Sequence, residues 1–245
     1  MLDANSHIDV FSTFAPDYRF GNCFVRVYDH TDTATFGQHF IYDELYQACL
    51  ASAPSRPYGT LSELCCGMAD LSADAVCSYL HSRSPLLLFC VDKDSPNDLP
   101  HNPTAQEGES ESDDSGSFDV IGFAFPSIVA GPPVGKFDPD PGRTALIGYT
   151  IFKPAYRTPE AVVCTMLMGV YFFHKFNLLT LQGQSYPWNR LTRKFLAQFG
   201  TRTLAEPIPA FLFDGTKMVD SYHSVLERSV FARYVEKVLT DCVSL

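Results

Sequence analysis

The stretch IGYTIFKPAYRTPEAVV, from Ile147 to Val163, decides the fold. It reads as a buried strand, a short turn and the opening of an apolar helix. Ile147, Tyr149 and Ile151 alternate along one strand face. Thr158 is a favourable N-cap, and Pro159 takes the first helical position, where a missing N–H costs nothing. A strand that feeds a helix N-terminus is also where many folds hold phosphate, because N–H groups without intrahelical partners point outward there. The helix predicted over Pro159–Phe176 is apolar almost all round. Val162, Met166, Val170 and Phe173 form one face, and Val163, Leu167 and Phe172 form others. Such a helix must be covered on several sides. Asn177 can close it, and Leu178–Gln182 reads as the next strand. The strand–helix–strand order predicts that Arg143–Lys153 and Leu178–Gln182 are parallel neighbours joined by a right-handed crossover.

Outward from this unit, Cys23–Tyr28, Pro85–Val91 and Phe118–Val129 read as further strands. Phe36, Phe40, Leu45 and Ala48 mark one helix face, Thr60-x-x-Glu63 is a capping box opening a second helix, and Ser72–His81 reads as a third. Downstream, Asn189–Phe199 reads as a helix closed by Gly200. Asp214-Gly215 is a type I′ hairpin turn between AFLF and KMVDSY. Ser224-x-x-Glu227 matches a second capping box and predicts a C-terminal helix through Leu239. Met1–Tyr18 has no clear period and is expected to be an arm. The segment from Lys93 to Ser117 is rich in Pro, Ser, Gly and acid, a loop composition, and is expected to be an insertion within a hairpin. The organisation predicted is one domain over residues 1–245, with arm 1–18 and acidic insertion 93–117.

Composition narrows the classes. An apolar fraction of 46% supports a full core, and 20 Phe and 12 Tyr make that core aromatic. Net charge is −10. Six acids and no Lys or Arg lie between Asp98 and Asp114, so that segment alone supplies −6. This argues against a general nucleic-acid surface. The longest apolar run, Ala161 to Phe173, falls short of the ~20 residues of a membrane span. No secretory signal pattern opens the chain. Eight cysteines carry no metal spacing and read as free thiols of a reducing cytoplasm.

The same words resemble the GNAT acyltransferases, and within them the Rim-like ribosomal-protein N-terminal acetyltransferase branch. The branch pattern has Ile-Gly-Tyr, then Pro-x-Tyr-Arg, then a glycine loop and a helix beginning near Glu-Ala. It continues with an Asn, a hydroxylated residue three on, and a Phe-Gly or Leu-Gly eleven on, which here are Asn189, Thr192 and Gly200. AFLFDGTKMVDSYHSVLERSVF is similar to the family's closing hairpin, and NCFVRVYD to its first strand. The resemblance touches most of the chain in order and is specific from Ile147 to Leu226. It implies an α/β fold with a GNAT-like mixed, twisted sheet flanked by helices. It also implies that acyl-CoA lies at a splay between two central strands, with its pyrophosphate on the loop before the helix.

Against that pattern the loop here, YRTPEA, keeps Arg157 but has no glycine, and about four residues are missing. Pro159 removes one more N–H donor. The Glu that often serves as general base before Ile147 is Leu146 here, and the Tyr seven after the Asn is Leu196. Thr192 then stands in as the hydroxyl near the leaving thiolate, and Asn189 as a bond to the pantetheine arm. Tyr149, with Tyr156, is a candidate for the lining of the catalytic cleft. Arg157 and Thr158 are candidate phosphate contacts. Each also has a plain structural role: packing for Tyr149, a surface ion pair for Arg157, N-caps for Thr158 and Asn189. His174 reads as a surface residue at a helix end, and His223, Ser185 and Cys164 form no sequence-visible triad.

Two functions follow. The first is an acyl-CoA-dependent N-acyltransferase passing acetyl to a primary amine, weak or inactive because its loop is short. Its partners would be acyl-CoA and an amine acceptor, without nucleic acid or membrane. Its cofactor would be acetyl-CoA, weakly held, or none. The second is a catalytically silent GNAT-fold module with protein partners or a homo-oligomer, such as a viral or phage assembly component in a host cytoplasm or virion.

Overall fold

A computed structural model describes residues 9–28, 85–93, 118–128, 143–151, 155, 158–213 and 217–243. The helices expected around Phe36–Ala48, at Thr60 and over Ser72–His81 lie outside the described residues. So do nearly all of the acidic insertion and the Asp214-Gly215 turn. In chain order the strands are β1 Arg19–Phe20, β2 Cys23–Tyr28, β3 Leu86–Asp92, β4 Phe118–Ile128 and β5 Thr144–Ile151. They continue with β6 Thr180–Ser185, β7 Arg202–Thr203, β8 Ile208–Phe213 and β9 Met218–Glu227. A 3₁₀ turn spans Val10–Phe14, and the α-helices are α1 Pro159–Lys175, α2 Arg190–Ala197 and α3 Arg228–Val243.

The sheet runs β1-β2-β3-β4-β5-β6-β9-β7, with β8 on β9. Every pairing is antiparallel except β5 with β6, which is parallel, as the strand–helix–strand order predicts. The result is a mixed sheet with α1, α2 and α3 beside it. The local signals hold at α1. Thr158 is its N-cap, its side chain accepting from the Ala161 N–H, and Pro159 sits in the first turn. At the far end Asn177 takes φ +49°, the left-handed closure that Asn tolerates.

Strand alternation sorts the side chains onto two faces. Leu87 and Phe89 of β3, Ala145 and Ile151 of β5, Leu181 of β6 and Leu226 of β9 share one core with α1. From Ala161 to Phe173 only Val162 and Val163 of α1 escape full burial. The 3₁₀ turn and α3 complete the cover. Phe11 stacks on Phe173 and Phe231, with ring centroids 5.7 and 5.9 Å apart. Gly169 lets α3 come close, because a Cβ there would lie 2.7 Å from the Phe231 ring.

Three expectations are corrected. Residues 9–18, expected within an arm, pack on the body instead, with Phe11, Phe14 and Tyr18 buried. The Tyr18 hydroxyl pairs with His174 Nδ1 at 2.8 Å, so His174 is a partly buried partner and not a free surface residue. Ser224 and Glu227 form no capping box. Both lie inside β9, opposite Gly183 and Thr180, and α3 begins only at Arg228. Arg228 ties these parts together. Its guanidinium donates to the carbonyls of Phe173 and Leu178 at the end of α1 and pairs with Asp9 Oδ2 at 2.8 Å. It also lies 4.9 Å from the Phe11 ring centroid. A cation on helix-terminal carbonyls is favoured by the helix dipole.

Cys23, Cys90 and Cys164 are free and buried. Burial pushes the Cys90 thiol up to about 12. Cys164 is raised as well, first by its hydrogen bond with Cys23 and then by burial. Thiolates are the reactive form, so Cys90 and Cys164 should resist iodoacetamide in native buffer and react in guanidinium. Peptide mass spectrometry reads this directly, and native labelling at Cys90 within minutes would contradict the packing.

Candidate functional site

β5 and β6 pair only at Thr144 with Thr180, Ala145 with Leu181 and Leu146 with Gln182. Beyond those positions β5 keeps pairing with β4 through Ile151, and β6 keeps pairing with β9 through Ser185. The two strands therefore part while each stays held on its outer side. Among the described residues no ladder joins 147–151 to 183–185, so a gap opens within the sheet. Strand edges of this kind present N–H and C=O groups that an extended ligand can pair with. Tyr149 stands on the β5 arm of the gap, half-buried on the helix side. On the other face Gly148 lets the Phe125 ring lie against the strand, since a Cβ there would come within 2.5 Å of it.

The N-terminus of α1 follows the β5 arm. Thr158 Oγ1 accepts from the Ala161 N–H at 3.3 Å and donates to the Ala155 carbonyl at 3.1 Å. The Thr158 N–H is also bound to that carbonyl, at 3.2 Å. Pro159 has no N–H. Of residues 159–161, only Glu160 keeps an N–H that is neither absent nor capped, and Glu160 brings its own carboxylate to the first turn. A carboxylate there suits the helix dipole and repels a second anion. Arg157 and Tyr156 lie outside the described residues.

The other arm leads into α2. Asn189 is its N-cap, its Oδ1 accepting from the Thr192 N–H at 3.4 Å. Thr192 is half-buried one turn on. The structure thus brings Asn189 and Thr192 together at one helix start and places Tyr149 and Thr158 on the opposite arm. Arg193, absent from the sequence reading, holds this helix start. Its guanidinium donates to Ser185 Oγ at 3.0 Å and to the carbonyls of Tyr186 and Pro187 at 2.8 and 2.9 Å. It also lies 4.5 Å from the Tyr222 ring centroid. An arginine on an exposed helix carries no local signal for such a role, because its partners come from strands and turns that only the fold assembles.

The sheet face away from α1 carries a polar strip beside the gap. Gln182 and Gln184 of β6 and Ser221 and His223 of β9 share it, with His223 directly opposite Gln184. Ser221 and His223 are buried, and Ser221 Oγ and His223 Nε2 have no hydrogen-bond partner. The edge of the Phe211 ring packs on the His223 ring at 5.4 Å. Burial holds the His223 imidazole below the ordinary histidine range. Among the described residues no cluster of three His, Cys, Asp or Glu could hold a metal ion, and no helix is long and apolar enough to cross a membrane.

No protein-family model and no curated protein matches the sequence. Solved structures do match the fold. RimJ of Mycobacterium smegmatis, solved with CoA-disulfide, is 14% identical with a TM-score of 0.55, covering 90% of this chain and 91% of its own. A GNAT-family acetyltransferase from Bacillus anthracis is 9% identical with a TM-score of 0.51, covering 86% of this chain and 98% of its own. The ribosomal-protein-S5-alanine acetyltransferase of Vibrio fischeri is 14% identical with a TM-score of 0.50, covering 86% and 96%. The chain has the fold of the GNAT acetyltransferases, Rim-type enzymes among them, over nearly its whole length.

Proposed function

We propose that the chain is an acyl-CoA-dependent N-acyltransferase with a weak hold on its acyl donor. The gap between β5 and β6 carries this reading. It offers two strand edges, at 147–151 and 183–185, to an extended acyl-pantetheine arm, and it lies in the sheet of a GNAT fold. The solved relatives include a CoA complex, and the residues here fit that group in part. The gap suits the arm, and Asn189 and Thr192, at the helix start that follows β6, would contact it. The N-terminus of α1 suits the pyrophosphate poorly, because Thr158 caps one amide, Pro159 lacks another and Glu160 adds negative charge. Arg157 would contribute the remaining phosphate contact. When bound, acetyl-CoA supplies a thioester whose acyl carbon a primary amine attacks. Backbone amides along the gap would bind the acyl oxygen. The cysteine usage fits a cytoplasmic setting.

Calorimetry with acetyl-CoA tests this reading. Each lost backbone bond to phosphate is worth roughly 1.5–3 kcal/mol. Losing two raises the dissociation constant ~100-fold or more, which puts binding near the millimolar range. Saturable millimolar binding, with acetylation of a primary amine detected by mass spectrometry, upholds the proposal. Thr192→Val and Asn189→Ala should each lower turnover by about 10-fold. No heat of binding at 10-fold higher donor concentration would leave the acyltransferase reading without its ligand.

The second reading, a silent GNAT-fold module, has one observation in its favour. The α1 N-terminus caps the Ala161 N–H with its own Thr158 hydroxyl and has no N–H at Pro159, so it leaves little for an anion to bind. Absence of both binding and turnover would select it.

A further inference from the structure

Burying a polar atom without a partner costs about 1–3 kcal/mol, and native folds rarely retain such atoms without a use. Among the described residues three side-chain atoms are in this state, Thr201 Oγ1, Ser221 Oγ and His223 Nε2. Two of the three share one face of β9, two residues apart, with their Cα atoms about 7 Å from each other. Gln182 and Gln184 of β6 lie on the same face. Two side chains of this face, Ser221 and His223, thus each bury a polar atom that has nothing to bind within the protein. Structural polar residues behave differently here: Thr203 of β7 and Ser224 of β9, directly paired on the other face, bond each other at 3.2 Å.

The position of the strip is specific. Gln182 is the last residue of β6 that pairs with β5, and Gln184 lies past it, on the arm bordering the gap. His223 is the register partner of Gln184, one strand further in. Among the described residues the α-helices lie beside the other face, and the strip borders the gap on the side opposite α1. Phe211, 40% exposed, packs against the His223 ring in an edge-type contact. Phe211 rides on an irregular stretch of β8 between Ile208 and Leu212, where Ala210 has φ +48°.

We propose that this strip is the acceptor subsite and that His223 is the group that takes the proton from the attacking amine. The proposal rests on the acyltransferase reading for its second half, because only that reading supplies a thioester across the gap. The amine arrives as an ammonium ion. His223 Nε2 takes one proton, directly or through one water. The freed lone pair forms the C–N bond to the acyl carbon as the C–S bond breaks. The departing sulfur keeps the second amine proton, and one N–H remains on the amide product. His223 then returns its proton to solvent past Phe211. A neutral imidazole is required, and burial supplies it. Ser221 and the two glutamines offer acceptors to the remaining N–H groups of the ammonium ion. The neighbouring β5 position on that face is Leu146, not a carboxylate.

The test has two readouts. Imidazole ¹⁵N and ¹³C signals of His223, recognised by their contact with Phe211, are followed in the wild-type chain during titration with n-butylamine and with the dipeptide alanyl-alanine. A saturable shift is expected and needs no acetyl-CoA. No shift at saturating amine, with the nitrogens exchanging only with ordered water, overturns the subsite. Where acetyl transfer is measurable, His223→Gln should lower kcat about 100-fold with KM for acetyl-CoA unchanged, and Ser221→Ala should raise KM for the amine several-fold. Wild-type kcat in His223→Gln would remove His223 from catalysis. If acetyl-CoA does not bind at all, the acyltransferase reading fails by itself, and the amine titration still decides whether the strip is a binding site.

Discussion

Replacing Phe231 with alanine is expected to lower the melting temperature by about 10 °C. Phe231 is 1% exposed and joins three separate segments. It packs on Phe11 of the N-terminal 3₁₀ turn, on Phe173 of α1 at 5.5 Å and on Tyr234 of its own helix at 6.1 Å. It also fills the notch left by Gly169. Phe→Ala in a core of this kind costs roughly 3–5 kcal/mol, from lost transfer energy and the cavity left behind. For a chain of this size each kcal/mol shifts the midpoint by about 2–4 °C. Phe231→Leu, which keeps most of the volume, should cost less than about 1.5 kcal/mol. A shift below about 3 °C for the alanine variant would show that α3 and the N-terminal turn are not integral to the core.

That cluster also shows where sequence reading stops. The central unit was legible because its signals are local. Strand alternation at Ile147–Ile151, a cap at Thr158, a proline in the first turn and an all-apolar helix each involve neighbours in the chain. The parallel pairing of β5 and β6 then follows from connection rules. The N-terminal turn was not legible, because Phe11 packs on Phe173 and Phe231, more than 150 positions away. Arg228 gave no signal for the same reason. Ser224-x-x-Glu227 misled because the capping-box spacing also fits a strand, and ladder bonds to β6 outweigh a cap worth about 1 kcal/mol. Of the candidate site, Asn189 and Thr192 were found through a resemblance and do share a helix start. Ser221 and His223 were missed as a site. An isolated buried histidine is indistinguishable from packing until its hydrogen bonds are counted.

Freeing the α1 N-terminus is expected to tighten acetyl-CoA binding by about 100-fold. The variant carries Thr158→Gly, Pro159→Ala and Glu160→Gln. Thr158→Gly releases the Ala161 N–H from its present bond to Oγ1. Pro159→Ala adds an N–H at the first helical position, and Glu160→Gln removes the carboxylate that faces any incoming anion. Two new bonds to a charged phosphate contribute roughly 1.5 kcal/mol each at the low end, which is about two orders of magnitude in dissociation constant. The helix should survive the change. Replacing an N-cap threonine by glycine costs only a few tenths of a kcal/mol, and alanine at the first helical position has the best propensity available. The buried stretch from Cys164 to Phe173, which holds α1 in place, is untouched. The melting temperature should therefore move by less than about 3 °C while affinity rises from the millimolar toward the micromolar range. An unchanged dissociation constant in a folded variant would mean that the pyrophosphate does not sit at this helix terminus. The missing glycine loop would then not explain weak binding. An affinity gain without any gain in amine acetylation would place the remaining deficit in proton transfer, on the opposite face of the sheet, where His223 stands.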